Sequence, residues 1–197
     1  MLKKLFIMVI FSVITFNMIA QESATFIDPR DGRAYRTIKI DTLIWMAENL
    51  AYKADKGSCW AYDNDSVHVK TYGYLYSYES ALKACPAGWR LPSDSVWTLL
   101  SDYLRGKDIT GKKLKSDKGW NKNIDTIVVR SGFDALAGGF RWVGGTFGSI
   151  GEKGFWWSST ETGENRAVYR SILSDEDGLF RWEDYKDYGL SVRCVKY

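Results

Sequence analysis

The tripeptide Phe-Arg-Trp occurs twice in this sequence, as Phe140-Arg141-Trp142 and as Phe180-Arg181-Trp182. A tryptophan ring offers a large rigid face for stacking, and a guanidinium offers several hydrogen-bond donors. These groups suit a surface that recognises a sugar or a partner macromolecule. We expect Trp142, Phe147 and Trp182 to be exposed because they lie in or next to predicted loops. The candidate ligand-binding residues are Arg141, Trp142, Phe147, Arg181 and Trp182.

Carboxylates offer a second chemistry. Two carboxyl groups roughly 5 to 10 Å apart can hydrolyse a glycosidic bond, one as acid and one as base or nucleophile. The candidates are Glu48, Asp63, Glu161 and Asp184. Sequence alone does not fix the distance between any two of these carboxyl groups. Since two of them could still form a catalytic pair, a hydrolase is the alternative to a binding protein.

The titratable residues predict neither a metal centre nor a cofactor. His68 is the only histidine, and Cys59, Cys85 and Cys194 lack the paired spacing of a zinc site. The acidic segments 63–65 and 175–178 do not match an EF-hand calcium loop, and we interpret them as solvated turns. We interpret Cys59 as a leftover thiol rather than a nucleophile paired with His68. The three cysteines allow three disulfide pairings.

The first twenty residues predict export. Lys3 and Lys4 precede an apolar run from Leu5 to Ile14, and the segment ends at Ala20. This is the pattern of a cleaved secretory signal peptide. The apolar run is shorter than the roughly 20 residues that span a bilayer, which disfavours an uncleaved anchor. We expect a mature domain of residues 21–197 that is periplasmic, cell-surface or secreted and has no membrane span.

The length of the chain indicates one domain, and its net charge limits the classes of partner that we expect. The chain has 197 residues, of which 45% are hydrophobic, as expected for one globular domain. Its net charge is +3, and removal of the two lysines of the leader leaves +1. A nearly neutral mature chain gives no electrostatic reason to expect nucleic acid as the partner.

Short strands are predicted near both ends of the chain, with two helices between them. Asp31-Gly32 between two apolar runs predicts a hairpin. Apolar positions at helical spacing predict one helix from Tyr76 to Ala84 and another that begins at an N-cap, Ser93, and ends at Gly106. The late strands are predicted at Phe155–Ser158, Ala167–Leu173, Leu179–Tyr185 and Leu190–Val195. Since no helix separates them, the pattern predicts an α+β fold with antiparallel sheets.

Two segments are predicted to be irregular. Eight of the 18 glycines fall between Gly132 and Gly154. We interpret this stretch as a long, tightly folded loop, because glycine permits positive φ and close backbone approach. Phe140 and Phe155 are expected to anchor that loop. The polar run Lys107–Asn123 is interpreted as a surface segment.

Residues 84–94 carry a resemblance to a known family. They read Ala-Cys-Pro-Ala-Gly-Trp-Arg-Leu-Pro-Ser-Asp, are followed by Trp97, and resemble the signature of the Fibrobacter succinogenes major paralogous domain, a family of exported bacterial proteins. Six further segments are similar to motifs of that family in the same order. They are 45–50, 62–65, 72–76, 132–141, 156–161 and 188–195. Four tryptophans in these motifs are expected in the core, namely Trp45, Trp89, Trp97 and Trp157.

A remoter resemblance implies the fold. Residues 88–97 and 191–195 are similar to parts of the formylglycine-generating sulfatase-modifying domains, which have the C-type lectin-like fold. The resemblance implies that fold here, with antiparallel sheets, two helices and a long glycine-rich loop region. The family comparison also implies a disulfide between Cys85 and Cys194. Cys59 is then unpaired, because the segment 67–70, where its partner usually stands in the family, has no cysteine.

These patterns favour an exported, non-enzymatic recognition module. Its expected partner is an extracellular glycan or another extracellular macromolecule such as a protein. The alternatives are an extracellular hydrolase acting on glycans and a structural or adhesive envelope protein without a small ligand. Fold-level likeness cannot choose between them, because function depends on the site.

Overall fold

The computed structural model describes residues 23–54, 58–121 and 131–197. The predicted leader, residues 1–20, lies outside this part. The strands are β1 (Ser23–Ile27), β2 (Ala34–Ile40), β3 (Leu43–Met46), β4 (Cys59–Trp60), β5 (Leu75–Tyr76), β6 (Gly138–Arg141), β7 (Phe147–Ile150), β8 (Lys153–Gly163), β9 (Arg166–Leu173), β10 (Phe180–Tyr185), β11 (Leu190–Ser191) and β12 (Val195–Lys196). The helices are α1 (Val69–Tyr72), α2 (Tyr78–Ala84), α3 (Asp94–Tyr103) and α4 (Lys107–Leu114), with 3-10 turns at Tyr62–Asn64 and Ser66–His68.

The strands form two sheets. One has the order β1-β2-β3-β12, and the other follows the path β10-β9-β8-β11-β5-β4, with β6 beside β8 and β7 beside β6. Most neighbouring strands are antiparallel, as the sequence predicts, whereas β8 pairs in parallel with β6 and β11. The α+β class and its antiparallel sheets are therefore confirmed.

The two predicted helices correspond to α2 and α3. Ser93 caps α3, because its hydroxyl accepts the backbone N–H of Val96. The expectation of only two helices is wrong, since α1 and α4 are also present in the described residues.

The surface assignment of Lys107–Asn123 is wrong over α4, although residues 122 and 123 lie outside the described part. Thr110 and Leu114 are buried. Gly111 packs so closely that a Cβ there would lie 2.1 Å from the carbonyl oxygen of Gly178. The helix buries a narrow face made of a glycine, a threonine and one leucine, so its sequence lacks the apolar periodicity that reveals most helices.

The glycine-rich stretch is also not one long loop, because it contains β6, β7 and the start of β8. Gly139 has φ of +65°, and a Cβ there would lie 2.3 Å from the carbonyl oxygen of Gly148 on the neighbouring strand. The glycines thus permit backbones to approach within a sheet, a role that composition alone does not distinguish from loop formation.

The cores lie against both faces of the large sheet. Neighbouring residues of β8 alternate, so that Trp156 packs toward Trp97 of α3 while Trp157 packs against Tyr78 of α2. Trp45, Trp89, Trp97 and Trp157 are all buried, as expected.

A buried polar network joins the end of the chain to its beginning. The Asn49 side chain accepts hydrogen bonds from Trp156 Nε1 and from the guanidinium of Arg193, both at 2.8 Å. Its amide donates to the Tyr72 carbonyl and to the Ser191 hydroxyl. Arg193 is fully buried, and burial lowers the pKa of its guanidinium.

The disulfide implied by the family is confirmed. Cys85 and Cys194 are bonded, with their Cα atoms 5.8 Å apart, and the bond connects the end of α2 to the segment between β11 and β12. Cys59 is a free, half-buried cysteine. Burial raises the pKa of its thiol, which disfavours the reactive thiolate.

Alkaline pH should destabilise the fold through buried tyrosines. Burial raises the pKa of Tyr35, Tyr78 and Tyr169 to about 12 and that of Tyr76 well above 10. In the unfolded chain these phenols ionise near pH 10. The native state therefore binds more protons above that pH, and its stability falls as the pH rises from about 10 to 12.

The measurement is phenolate absorbance at 295 nm, recorded at pH 11 before and after adding urea. We expect a rise on unfolding equal to the release of about four phenols. Complete ionisation in the folded protein would contradict this expectation. Absorbance is preferable to stability alone, because the lowered pKa of Arg193 acts on stability in the opposite direction.

Candidate binding surface

Aromatic side chains from several strands meet at one face of the large sheet. Phe140 packs edge-on against Trp142 and against Phe155, with ring centroids 4.7 and 5.2 Å apart. Trp142 also meets Tyr188 at 5.2 Å, and Phe155 meets Tyr169 at 5.9 Å. Such edge-to-face pairs hold rings in fixed orientations. We call this set the aromatic cluster.

The aromatic cluster lines an open depression of about 300 Å³. Its polar lining includes Ser149, Lys153 and Asp184. A neighbouring depression of about 430 Å³ shares Trp142 and Tyr188 with the first. Its remaining lining residues are Val143, Gly144, Tyr185 and Asp187. The Trp142 and Tyr188 pair therefore separates two adjoining depressions on one surface.

A tight turn presents Trp142 to solvent. The Trp142 backbone N–H donates to the Thr146 carbonyl at 2.8 Å, and its carbonyl accepts from the Gly145 N–H at 2.9 Å. Gly145 has φ of +93°, a conformation that favours glycine at this position. The Trp142 side chain is 45% exposed, as the sequence predicts.

Burial raises the pKa of the cluster's phenols, and nearby negative charge adds to the effect. Burial, reinforced by Asp184, raises the pKa of Tyr169 to about 12 and also raises that of Tyr188. At neutral pH both phenols are hydrogen-bond donors, whereas the Asp184 carboxylate is an acceptor and also receives the Tyr185 backbone N–H. The surface thus combines flat apolar faces with donors and an acceptor.

Arg141 and Phe147 lie beside the cluster and support it. The Arg141 guanidinium stacks 4.0 Å from the centroid of the Trp60 ring and donates to the Trp142 carbonyl at 3.2 Å. Phe147 is half-buried and packs against Tyr62, with ring centroids 5.3 Å apart. Both are placed to position the turn that carries Trp142.

Arg181 and Trp182 lie on β10, where successive side chains point to opposite faces. Arg181 pairs with Asp94 on α3, with Nε 2.7 Å from Oδ2. Trp182 is 54% exposed and stands opposite Tyr169 in the β9 to β10 register. Arg181 therefore lies on the opposite face of the sheet from the aromatic cluster, whereas Trp182 lies on the same face as Tyr169 of the cluster.

The predicted carboxylates are dispersed. Glu48 pairs with Arg36, Glu161 pairs with Lys186, and Asp63 lies in a 3-10 turn with φ of +52°. Asp184 is the member of this set that lines the depression. Within the described ranges, no group of three or more His, Cys, Asp or Glu side chains could hold a metal ion.

Sequence reasoning missed Tyr169, Tyr185 and Tyr188 as lining residues. The alternation of Phe155 and Trp157 in β8 is a signal that one face of this sheet is aromatic. The signal does not reveal which tyrosines stand opposite, because the register between strands is a tertiary property.

The geometry defines a mixed α+β domain with two sheets and an aromatic surface depression. The chain belongs to the Fibrobacter succinogenes major domain family, whose family model matches residues 38–196. No curated protein and no solved structure matches it. In the part of the chain that the structure describes, no helix has the length and apolar character needed to cross a bilayer.

Proposed function

We propose that this protein is an exported, non-enzymatic recognition domain that binds an extracellular glycan at the aromatic cluster. The observation that carries the proposal is the Trp142 indole, half exposed on a rigid set of rings beside a polar-lined depression. A sugar ring has an apolar face of C–H groups and a rim of hydroxyls. Trp142 supplies a stacking face for the first, and Lys153, Asp184 and the tyrosine phenols supply partners for the second.

The exposure of the carboxyl groups at this surface favours binding over hydrolysis. A glycosidase acid stays protonated at neutral pH because it is buried in apolar surroundings. Asp184 is half-buried and Asp187, in the neighbouring depression, is exposed to water. We therefore expect the protein to bind a glycan without cleaving it.

Export and a C-type lectin-like fold complete the proposal. A native disulfide is typical of proteins that leave the reducing cytoplasm, and the pattern of residues 1–20 is that of a signal peptide. The lectin-like assignment is supported by the helix that starts after Leu91-Pro92 and by the disulfide that joins α2 to the last strands. The proposed location is therefore the periplasm, the cell surface or the medium.

The test is the Trp142→Ala variant. We expect it to weaken glycan binding by about 1 to 3 kcal/mol, which is roughly 5- to 150-fold in the dissociation constant, with little change in stability. A panel of soluble polysaccharides is first screened by affinity electrophoresis, and the best binder is then measured by titration calorimetry.

The matched control is Tyr103→Ala, which removes an exposed aromatic ring from α3. It should bind like the original chain. Unchanged affinity in a folded Trp142→Ala protein would remove the indole from the site. Release of reducing sugar from the bound polysaccharide would replace the binding proposal with the hydrolase.

A further inference from the structure

Strand β10 ends the path of the large sheet, and among the described residues β9 is the strand that pairs with it. At its start, the Leu179 N–H donates to the Lys107 carbonyl at 2.8 Å, so α4 meets the edge there. Beyond that point Arg181, Trp182, Glu183 and Tyr185 are exposed. An exposed strand edge offers unpaired N–H and C=O groups to another strand.

We propose that β10 pairs antiparallel with β10 of a second copy of this chain, in the register centred on Trp182. This interaction surface is the edge of β10, and it adjoins the proposed glycan site because Asp184 of the same strand lines the depression. Pairing would join the large sheets of two copies into one continuous sheet.

Symmetry restricts the register. A two-fold axis that exchanges antiparallel strands runs perpendicular to the sheet, so it keeps every side chain on its own face and passes through a pair of identical residues. Centring on Trp182 places Arg181 of each copy opposite Glu183 of the other and sets the two indoles side by side. Centring on Glu183 instead sets two carboxylates opposite each other, which is unfavourable. Charge therefore selects the first register.

The charges that this register needs are available. Glu183 is exposed, and among the described residues no cation forms an ion pair with its carboxylate. Arg181 uses Nε for its bond to Asp94, which leaves its terminal nitrogens for a second copy. Asp94 is also bound by Arg170, so its charge stays compensated if Arg181 turns outward. Each two-fold pairing thus gains two Arg-Glu contacts and buries two exposed indoles.

The experiment measures molar mass against concentration by sedimentation equilibrium. We expect the purified protein to approach twice the mass of one chain as its concentration rises. Glu183→Arg should raise the dissociation constant at least tenfold, because it sets arginines against arginines. Arg181→Glu should do the same by setting glutamates against glutamates. A mixture of the two variants should associate again, since every new charge then faces an opposite one.

Glu79→Arg is the control, because it makes the same charge change on α2, where Glu79 is exposed. It should associate like the original chain. A protein of single-chain mass at every concentration would overturn the proposal. So would unchanged association of Glu183→Arg, or failure of the mixture when circular dichroism shows both variants folded. If Arg181→Glu does not fold, Trp182→Ala replaces it, and undiminished association of that folded variant would equally overturn the pairing.

Discussion

Replacing Asn49 by alanine should destabilise the fold by about 4 kcal/mol. The side chain is 2% exposed and satisfies four hydrogen-bonding groups at once. Its removal leaves the Trp156 indole N–H and part of the Arg193 guanidinium buried without an acceptor. Each orphaned neutral group costs about 1 to 3 kcal/mol, and a charged one costs more.

Urea unfolding followed by far-UV circular dichroism measures this loss. The matched control is Ser191→Ala, which removes one 3.3 Å hydrogen bond of the same network and should cost about 1 kcal/mol. Equal losses in the two variants would mean that Asn49 does not hold the network together. A loss below about 1 kcal/mol for Asn49→Ala would contradict the prediction directly.

Removing the disulfide should cost about 4 to 5 kcal/mol. Cys85 and Cys194 are separated by 109 residues, and closing so long a loop removes much of the conformational entropy of the unfolded chain. The variant in which both cysteines are alanine should therefore unfold at much lower urea concentration. The slope of its transition should also rise, since its unfolded state is less compact.

Cys59→Ala is the control for this change. Its thiol is half-buried and forms no disulfide, so stability should change little and the protein should lose its reaction with a thiol reagent after unfolding. If the Cys59→Ala protein lost as much stability as the double variant, the effect would belong to cysteine packing rather than to the cross-link.

Local signals in the sequence predicted much of the fold. Ser93 caps α3 through a bond to a residue three positions away, so its role is visible in the sequence. The hairpin at Asp31-Gly32 is similarly local and joins β1 to β2. The exposure of Trp142 follows from its neighbours Gly144 and Gly145, which form the turn.

The features that sequence did not reveal depend on distant partners. A charged residue such as Arg193 reads as a surface position, yet it is buried because the carbonyls of Met46 and Phe133 and the amide of Asn49 surround it. β6 and β7 were hidden because glycine-rich strands lack side-chain alternation. The separation of Arg181 from Arg141 likewise required the strand order, which no local pattern contains.

The last strands of the chain affect how the protein can acquire its fold. Val195 pairs with Trp45, and Ser191 pairs with Leu75 and Trp156, so these contacts join segments up to 150 residues apart. Contact order is therefore high, and loop closure must precede most of the stabilising contacts, which predicts folding over milliseconds to seconds. A chain whose last residues have not yet been synthesised lacks β12 of the four-stranded sheet and β11 of the large sheet. It therefore stays unfolded for longer than a helical bundle of equal size, in which most stabilising contacts are local.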